Sequence, residues 1–223
     1  MLTDALEWLG HSSFRVRAGG PRGQVVYIDP YRVPEGPKAD LILVTHGHYD
    51  HFSPRDVERL AHPGTWLVAP AAVVERLSGR VLSAAPGESL APEGLRGIEV
   101  TAVAAYNTSK RDGEGQAFHP REAGWVGYEL NLRGERLYHC GDTDVIPKMD
   151  AVAGCDVALL AVSGTYVMTA AEAAEAARRI APGLAVPMHW GDHIGTRADA
   201  EEFARLAPGE VRIMSPAGRG APA

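Results

Sequence analysis

Residues 45–52 read Thr-His-Gly-His-Tyr-Asp-His-Phe, which puts three histidines and an aspartate within six positions. A chain with nine histidines produces His-x-His-x-Asp-His roughly once in a thousand shuffles, so the cluster calls for a chemical reason. Imidazole and carboxylate together suit Zn²⁺, Mn²⁺ or Fe. In extended backbone alternate residues point to one side, so His46 and His48 can grip one ion, while Asp50 and His51, a turn further on, face a second. Two ions about 3.5–4 Å apart can hold a bridging water, lower its pKa from 15.7 towards about 7 and clamp the oxygens of a reacting centre. Four donors do not complete two such sites. Tyr138-His-Cys-Gly-Asp-Thr143 and Val186-Pro-Met-His-Trp-Gly-Asp-His193 offer Asp142 and His189, each just past a strand, and Gly141 lets the backbone turn sharply towards the site.

The elements that must present these donors are visible as patterns. Leu6–Leu9, Ser13–Arg17 and Gln24–Asp29 read as an antiparallel meander, and Leu41–Val44 as a short strand apolar on both faces. Ser53 as N-cap, Pro54 in the first helical position and Asp56 three after the cap open a helix expected to reach about Ala61. Trp66–Ala69 and Ile98–Val103 are expected strands with a short helix over Ala71–Leu77 between them, and Trp125–Leu132 with Arg136–Cys140 an expected hairpin. An alternating pattern follows: strand Asp156–Val162, helix Thr169–Ile180 with a Thr169/Glu172 capping box, strand Ala185–Met188, helix Asp199–Leu206 and strand Val211–Met214. The polar, glycine-rich segment Ala105–Gly124 exceeds ordinary loop lengths, which points to a functional or mobile loop.

Composition bounds the setting. With 223 residues and 45% hydrophobic content the chain can bury a sizeable core, and residues 1–223 are expected to form a single domain. No apolar run is long enough for a membrane span, and the first residues carry acids where a signal peptide carries bases. Two cysteines form no disulfide framework, so a reducing, cytoplasmic location is expected. A net charge of −6 disfavours nucleic acid as the main partner and leaves a small-molecule substrate. Oligomeric state is left open.

Taken in this order, His46, His48, Asp50 and His51, then Gly141-Asp142-Thr143, then His189, the chain resembles the metallo-β-lactamase-fold superfamily. The resemblance implies an α/β (α+β) fold, a four-layer αββα sandwich, with two divalent ions at one edge, Zn²⁺ first and Mn²⁺ or Fe as alternatives. Trp8-Leu-Gly-His-Ser-Ser-Phe-Arg-Val16, Ile28-Asp-Pro30 and Val186-Pro-Met-His189 further resemble the ascorbate-6-phosphate lactonase-like branch, which includes relatives of N-acyl-phosphatidylethanolamine phospholipase D. The superfamily usually supplies one more histidine before the Gly-Asp-Thr. Here the strand ending near Val103 is followed by Ala104-Ala-Tyr-Asn107 without one, and His119, in Gly115-Gln-Ala-Phe-His-Pro-Arg-Glu122, is the remaining candidate.

The expected ligands are therefore His46, His48, Asp50, His51, His119, Asp142 and His189, with Asp50 also catalytic and Asp142 bridging the ions. His11, Tyr106, Asn107 and Lys110 are expected to bind substrate, with Tyr166 and Arg111 as further pocket candidates. His139 is expected buried behind Asp142, Trp190 and His193 at the pocket wall, and His62 capping the helix that precedes it. The implied activity is metal-dependent hydrolysis, a metal-bridging hydroxide attacking an ester or lactone, phosphorylated or not. The alternatives are a phosphodiesterase of the phospholipase D-like type, or a protein that keeps the site to bind or sense a ligand without turnover. Ser163-Gly-Thr165 lacks the Gly-x-Ser-x-Gly elbow of a serine hydrolase.

Overall fold

Alternation along the central strands decides the layering. The computed structural model describes residues 1–192 and 194–218. Among them, one six-stranded sheet holds β1 (Leu6–Gly10), β2 (Ser13–Ala18), β3 (Gln24–Ile28), β4 (Leu41–Leu43), β5 (Trp66–Ala69) and β6 (Arg80–Ser83) in chain order. A second holds β7 (Ser89–Leu90), β8 (Ile98–Ala104), β9 (Val126–Leu132), β10 (Glu135–His139), β11 (Val157–Ala161) and β12 (Leu184–Met188), again in chain order. The sheets share a plan: β1 to β3 and β7 to β10 pair antiparallel, while β3 to β6 and β10 to β12 pair parallel.

Val26, Ile28, Leu41, Leu43 and Val68 face inward and join Val100, Leu130 and Leu137 of the other sheet in one core. Their neighbours Val25, Tyr27, Ile42, Val44 and Leu67 face outward and pack on Val57, Leu60 and Val73 of α2 (Pro54–Leu60) and α3 (Ala71–Val74). On the far side Ala173, Ala177 and Ile180 of α4 (Ala170–Ile180) and Phe203 of α5 (Arg197–Leu206) cover the second sheet. The result is the expected αββα sandwich. Each fully buried Val, Leu or Ile contributes roughly 1.5–3 kcal/mol, which is why the short β4 holds its place with only three residues.

The helix signals act as read. Ser53 Oγ accepts from Asp56 N–H at 3.3 Å, and Thr169 with Glu172 forms a full capping box. His62, in contrast, does not cap α2. Lys38 Nζ donates to the carbonyls of Arg59 and Ala61 at 2.8 and 3.1 Å, while the His62 ring turns back to accept from Gly64 N–H. Val211–Met214 is not a strand: only Val211 bridges to Ala185, through bonds to the flanking Glu210 and Arg212. α3 ends at Val74 rather than Leu77, and β6, β7, a turn of helix α1 (Leu2–Ala5) and two 3-10 turns, Arg121–Ala123 and Pro147–Val152, were not expected. Among the described residues no helix is long and apolar enough to cross a membrane.

Candidate metal centre

The carboxyl ends of β3, β4, β10, β11 and β12 lead into loops carrying Asp29, residues 45–51, Asp142, Ser163 and His189, and all of them gather at one edge of the sandwich. Holding them there requires unusual backbone. His11, Asp29 and His189 adopt left-handed φ values of 51°, 46° and 61°, a conformation that costs a non-glycine residue about 1–3 kcal/mol and persists only where surroundings enforce it. The enforcement is visible: the His11 carbonyl accepts from the Trp8 indole at 2.8 Å and from His189 N–H at 3.0 Å. Gly141 turns at φ 63°, and a Cβ there would lie 2.7 Å from the Val126 carbonyl oxygen, so no other residue fits without displacing β9.

Four imidazoles are each fixed through Nδ1. His46 Nδ1 donates to Thr45 Oγ1 at 3.0 Å, and Thr45 in turn gives both its hydroxyl and its N–H to the Asp29 carboxylate, at 2.6 and 2.7 Å. His51 Nδ1 donates to Asp29 Oδ2 at 2.7 Å. Asn107 Oδ1 accepts from both the N–H and Nδ1 of His119, each at 2.9 Å, and Ser163 Oγ lies 2.8 Å from His189 Nδ1. This network turns the Nε2 atoms of His46, His51 and His119 to the interior, the orientation in which imidazole binds a metal.

Those atoms converge on Asp142. His51 and His189 Nε2 each lie 3.2 Å from its carboxylate oxygens and His119 Nε2 3.1 Å, yet these nitrogens and Asp142 Oδ1 have no hydrogen-bond partner. His46 Nε2 meets His48 Nδ1 at 3.2 Å. Buried, unsatisfied donor atoms facing one another are costly unless a cation sits among them. Three overlapping groups have ligand atoms within 4.8 Å of one another: His46, His48 and His119; His46, His51 and Asp142; and His11, Asp50, His51 and His189. The donor set, imidazole nitrogens around carboxylates, fits divalent transition metals.

Charge follows the same geometry. Burial, then crowding by His51, holds His46 neutral well below its usual range, and burial with His119 lowers His48. His51 departs the other way: burial disfavours its cation, but the carboxylates of Asp142 and Asp29 outweigh burial and raise it well above the usual value. Asp142 stays ionised despite burial because His189, His51 and His119 surround it. Burial and His189 push His11 down to about 4, so near neutrality its ring is uncharged while Nε2 lies 3.1 Å from Asp50 Oδ2. Burial would raise the Asp50 carboxyl, but the His11 hydrogen bond and His51 hold it far below the usual range.

A cleft of about 400 Å³ opens over this cluster, and the described residues lining it are His48, Tyr49, Asp50, Phe118, His119, Asp142, Tyr166 and Ile194. All seven expected ligands are therefore brought together, four of them at the cleft floor. The four expected substrate-binding residues are not on its wall. His11 is buried behind Asp50. Asn107 spends its oxygen on His119 and its amide on Asp144 Oδ1 and the Tyr166 carbonyl, at 3.2 and 2.9 Å. Lys110 Nζ is held 2.7 Å from both oxygens of Glu172. The Tyr106 ring lies under the Arg121 guanidinium, and its carbonyl accepts from Asp144 N–H.

Arg111 is exposed and bonds the Gly115 carbonyl, and Trp190 is buried against Trp8 with ring centroids 4.7 Å apart. His193 lies outside the described residues. His139 is buried as expected, its ring bridging the Ser12 carbonyl and Gly141 N–H, so it sets the turn before Asp142. Ser163, His189 and Asp142 lie in sequence like a catalytic triad, but the serine sits on Nδ1, away from the cleft lining, and so acts as a holder. Asp29, Asn107, Asp144 and Ser163 carry no metal-ligand spacing of their own, and only the fold identifies what they hold.

Comparison with known proteins agrees with this geometry. The β-lactamase superfamily domain matches residues 5–189. A UPF0173 metal-dependent hydrolase from Thermococcus kodakarensis is 31% identical over 226 residues, covering 95% of this chain and 96% of the relative. The solved structure of a protein from Parabacteroides distasonis superposes with a TM-score of 0.78 at 29% identity, over 93% of this chain and 91% of that one. A metallo hydrolase from Ignicoccus hospitalis gives 0.74 at 24% identity, over 95% and 94%, and supports the fold.

Proposed function

Because this chain belongs to the β-lactamase superfamily domain family, we propose that it is a metal-dependent hydrolase whose dinuclear centre acts on an ester or lactone carbonyl. The observation that carries this reading is the set of imidazoles His51, His119 and His189, fixed at Nδ1 and with unsatisfied Nε2 atoms turned on Asp142. His46, His48 and His119 would hold one ion, Asp50, His51 and His189 the other, with Asp142 between them. When bound, divalent ions supply Lewis acidity towards a carbonyl or phosphoryl oxygen and acidify water, Zn²⁺ being the first candidate for this donor set.

The chain's own residues do the rest. Asp50, ionised and half-buried on the cleft floor, takes the proton of the attacking water at a carboxylate oxygen and returns it to the departing oxygen. His11 fixes the rotamer of that carboxylate through Nε2. Asp29, Asn107 and Ser163 keep the imidazoles from turning. No side-chain nucleophile is needed. Cys140 and Cys155 are buried, and burial pushes the Cys155 thiol up to about 12.

Treating residues 1–223 as one domain belongs to the same proposal, supported by α5, which lies beyond the matched segment yet buries Ala200 and Phe203 in the common core. The test is turnover by Zn²⁺-reconstituted protein on a panel of esters, lactones and phosphodiesters, with and without chelator. Chelator-sensitive hydrolysis of a carbonyl substrate is expected. Hydrolysis confined to phosphodiesters would reassign the reacting centre, and a metal-loaded protein that hydrolyses none of them would be a binder or sensor.

A further inference from the structure

The cleft has two chemically distinct halves. His48, Asp50, His119 and Asp142 form the floor; Tyr49, Phe118, Tyr166 and Ile194 complete the lining, and none of these eight is a lysine or an arginine. Among the described residues only three large hydrophobic side chains are well exposed, Met1, Tyr49 at 66% and Tyr166 at 39%, and the two tyrosines both stand at this opening. Large aromatic faces left to solvent beside a polar floor mark a recognition surface rather than a packing accident.

Both rings are positioned in advance. Tyr166 stands edge-on to Phe118 with centroids 4.7 Å apart, and its carbonyl is held by the Asn107 amide at 2.9 Å. Tyr49 stands edge-on to Tyr31 at 5.9 Å. A ligand ring entering between them meets a surface whose ordering cost is largely met beforehand.

Among the described residues, five lysine and arginine side chains of the surrounding loops have partners of their own. Lys110 is bound to Glu172 and lies 3.8 Å from Asp144; Arg32 lies 3.5 Å from Asp192; Arg111 bonds the Gly115 carbonyl; Arg121 covers the Tyr106 ring; Arg76 covers Phe52. A phosphate remote from the reacting bond is normally held by an arginine fork or a lysine charge. Here it would meet phenols and aromatic edges.

We propose that Tyr49, Phe118 and Tyr166 form a clamp for an uncharged flat ring, so that the substrate class is a neutral, aryl-bearing ester or lactone rather than a phosphorylated one. This rests on the hydrolase reading of the cleft floor and narrows it. The clamp fixes which end of the substrate leads: the ring lodges at the mouth and the carbonyl points to the floor.

The experiment uses full-length Zn²⁺-reconstituted protein, with equilibrium binding as one arm and turnover as the other. The binding probes are 3-(2-hydroxyphenyl)propionate, propionate and 6-phosphogluconate; the turnover probes are the lactones dihydrocoumarin and 6-phosphogluconolactone. The aryl acid is expected to bind more tightly than propionate and 6-phosphogluconate. Tyr49→Ala and Tyr166→Ala should each weaken the aryl acid at least about fivefold, the scale of a lost aromatic contact, while metal content and propionate affinity hold and Tyr166→Phe retains wild-type binding. Tyr49→Ala guards against misfolding, since that ring is the more exposed. Tighter binding or faster turnover of the phosphorylated probes overturns the proposal, as does equal weakening of aryl acid and propionate. Hydrolysis of dihydrocoumarin with tyrosine-independent binding would sink the clamp and leave the hydrolase standing. Tyrosine-dependent aryl binding without hydrolysis of either lactone would uphold the clamp and count against the hydrolase.

Discussion

Replacing Asn107 by alanine removes the oxygen that accepts both His119 N–H and His119 Nδ1 at 2.9 Å, and with it the buried link to Asp144 and the Tyr166 carbonyl. Each neutral hydrogen bond contributes about 0.5–1.5 kcal/mol net, so the two hold His119 with about 1–3 kcal/mol, one on its backbone N–H and one on its ring. That energy is what keeps Nε2 aimed at Asp142 rather than rotating away. Loss of a group that orients a metal-bound histidine typically weakens affinity about 10–100-fold, or about 1.4–2.8 kcal/mol at 1.4 per decade, which agrees with the hydrogen-bond count. Asn107→Ala should therefore still bind two ions at saturation but hold the weaker-bound one about 10–100-fold less tightly in chelator competition. His119→Ala, which removes the donor itself, should lose an ion outright. An Asn107→Ala protein with metal affinity within twofold of wild type, altered only in substrate binding, would refute the positioning role and return Asn107 to the cleft wall.

Asp50→Asn keeps the side chain's shape and removes its charge, so the variant should remain folded and metal-bearing while its hydrolytic rate falls at least about a hundredfold; unchanged turnover would remove Asp50 from proton transfer. Gly141→Ala forces a Cβ to within 2.7 Å of the Val126 carbonyl oxygen at a left-handed φ, and should lower stability by at least about 1–2 kcal/mol in urea denaturation. A loss under about 0.5 kcal/mol would show that β9 yields easily. Burial would raise the Glu172 carboxyl, but the Lys110 ammonium and the Thr169 N–H outweigh it and hold it below the usual carboxylate range. A lowered carboxylate stabilises the fold above its unfolded pKa and ceases to do so as pH falls through its folded value. The gap in urea midpoint between wild type and Glu172→Gln should therefore be present at pH 7 and narrow towards pH 3; a gap that widens in acid contradicts the pairing.

How far the sequence reveals this molecule depends on whether a feature is local. The candidate ligands were legible because metal chemistry concentrates rare residue types at strand ends: His46 to His51 in one turn, Asp142 after its glycine, His189 after an apolar strand. Capping at Ser53 and Thr169 was legible for the same reason, since donor and acceptor lie three residues apart. The groups that hold the ligands were not. Asn107 reaches His119 across 12 positions, Asp29 reaches His51 across 22 and Ser163 reaches His189 across 26, and nothing in the spacing announces these bonds. His11 was expected at substrate because Gly10-His-Ser-Ser13 resembles the lactonase-like branch, and Lys110 because of where it falls in the chain, but burial and the Glu172 carboxylate claim them instead. β6 and β7 escaped notice because partner strands, rather than their own composition, define them.

The account stands on the capacity of one buried cluster to hold a pair of ions. Its most direct test is the metal content of purified protein after reconstitution with Zn²⁺ and removal of excess, measured by elemental analysis against chain concentration. The arrangement of three imidazoles on one side, two imidazoles with Asp50 on the other and Asp142 between them predicts saturation at two ions per chain. Stable saturation at one ion, or none retained, would contradict it.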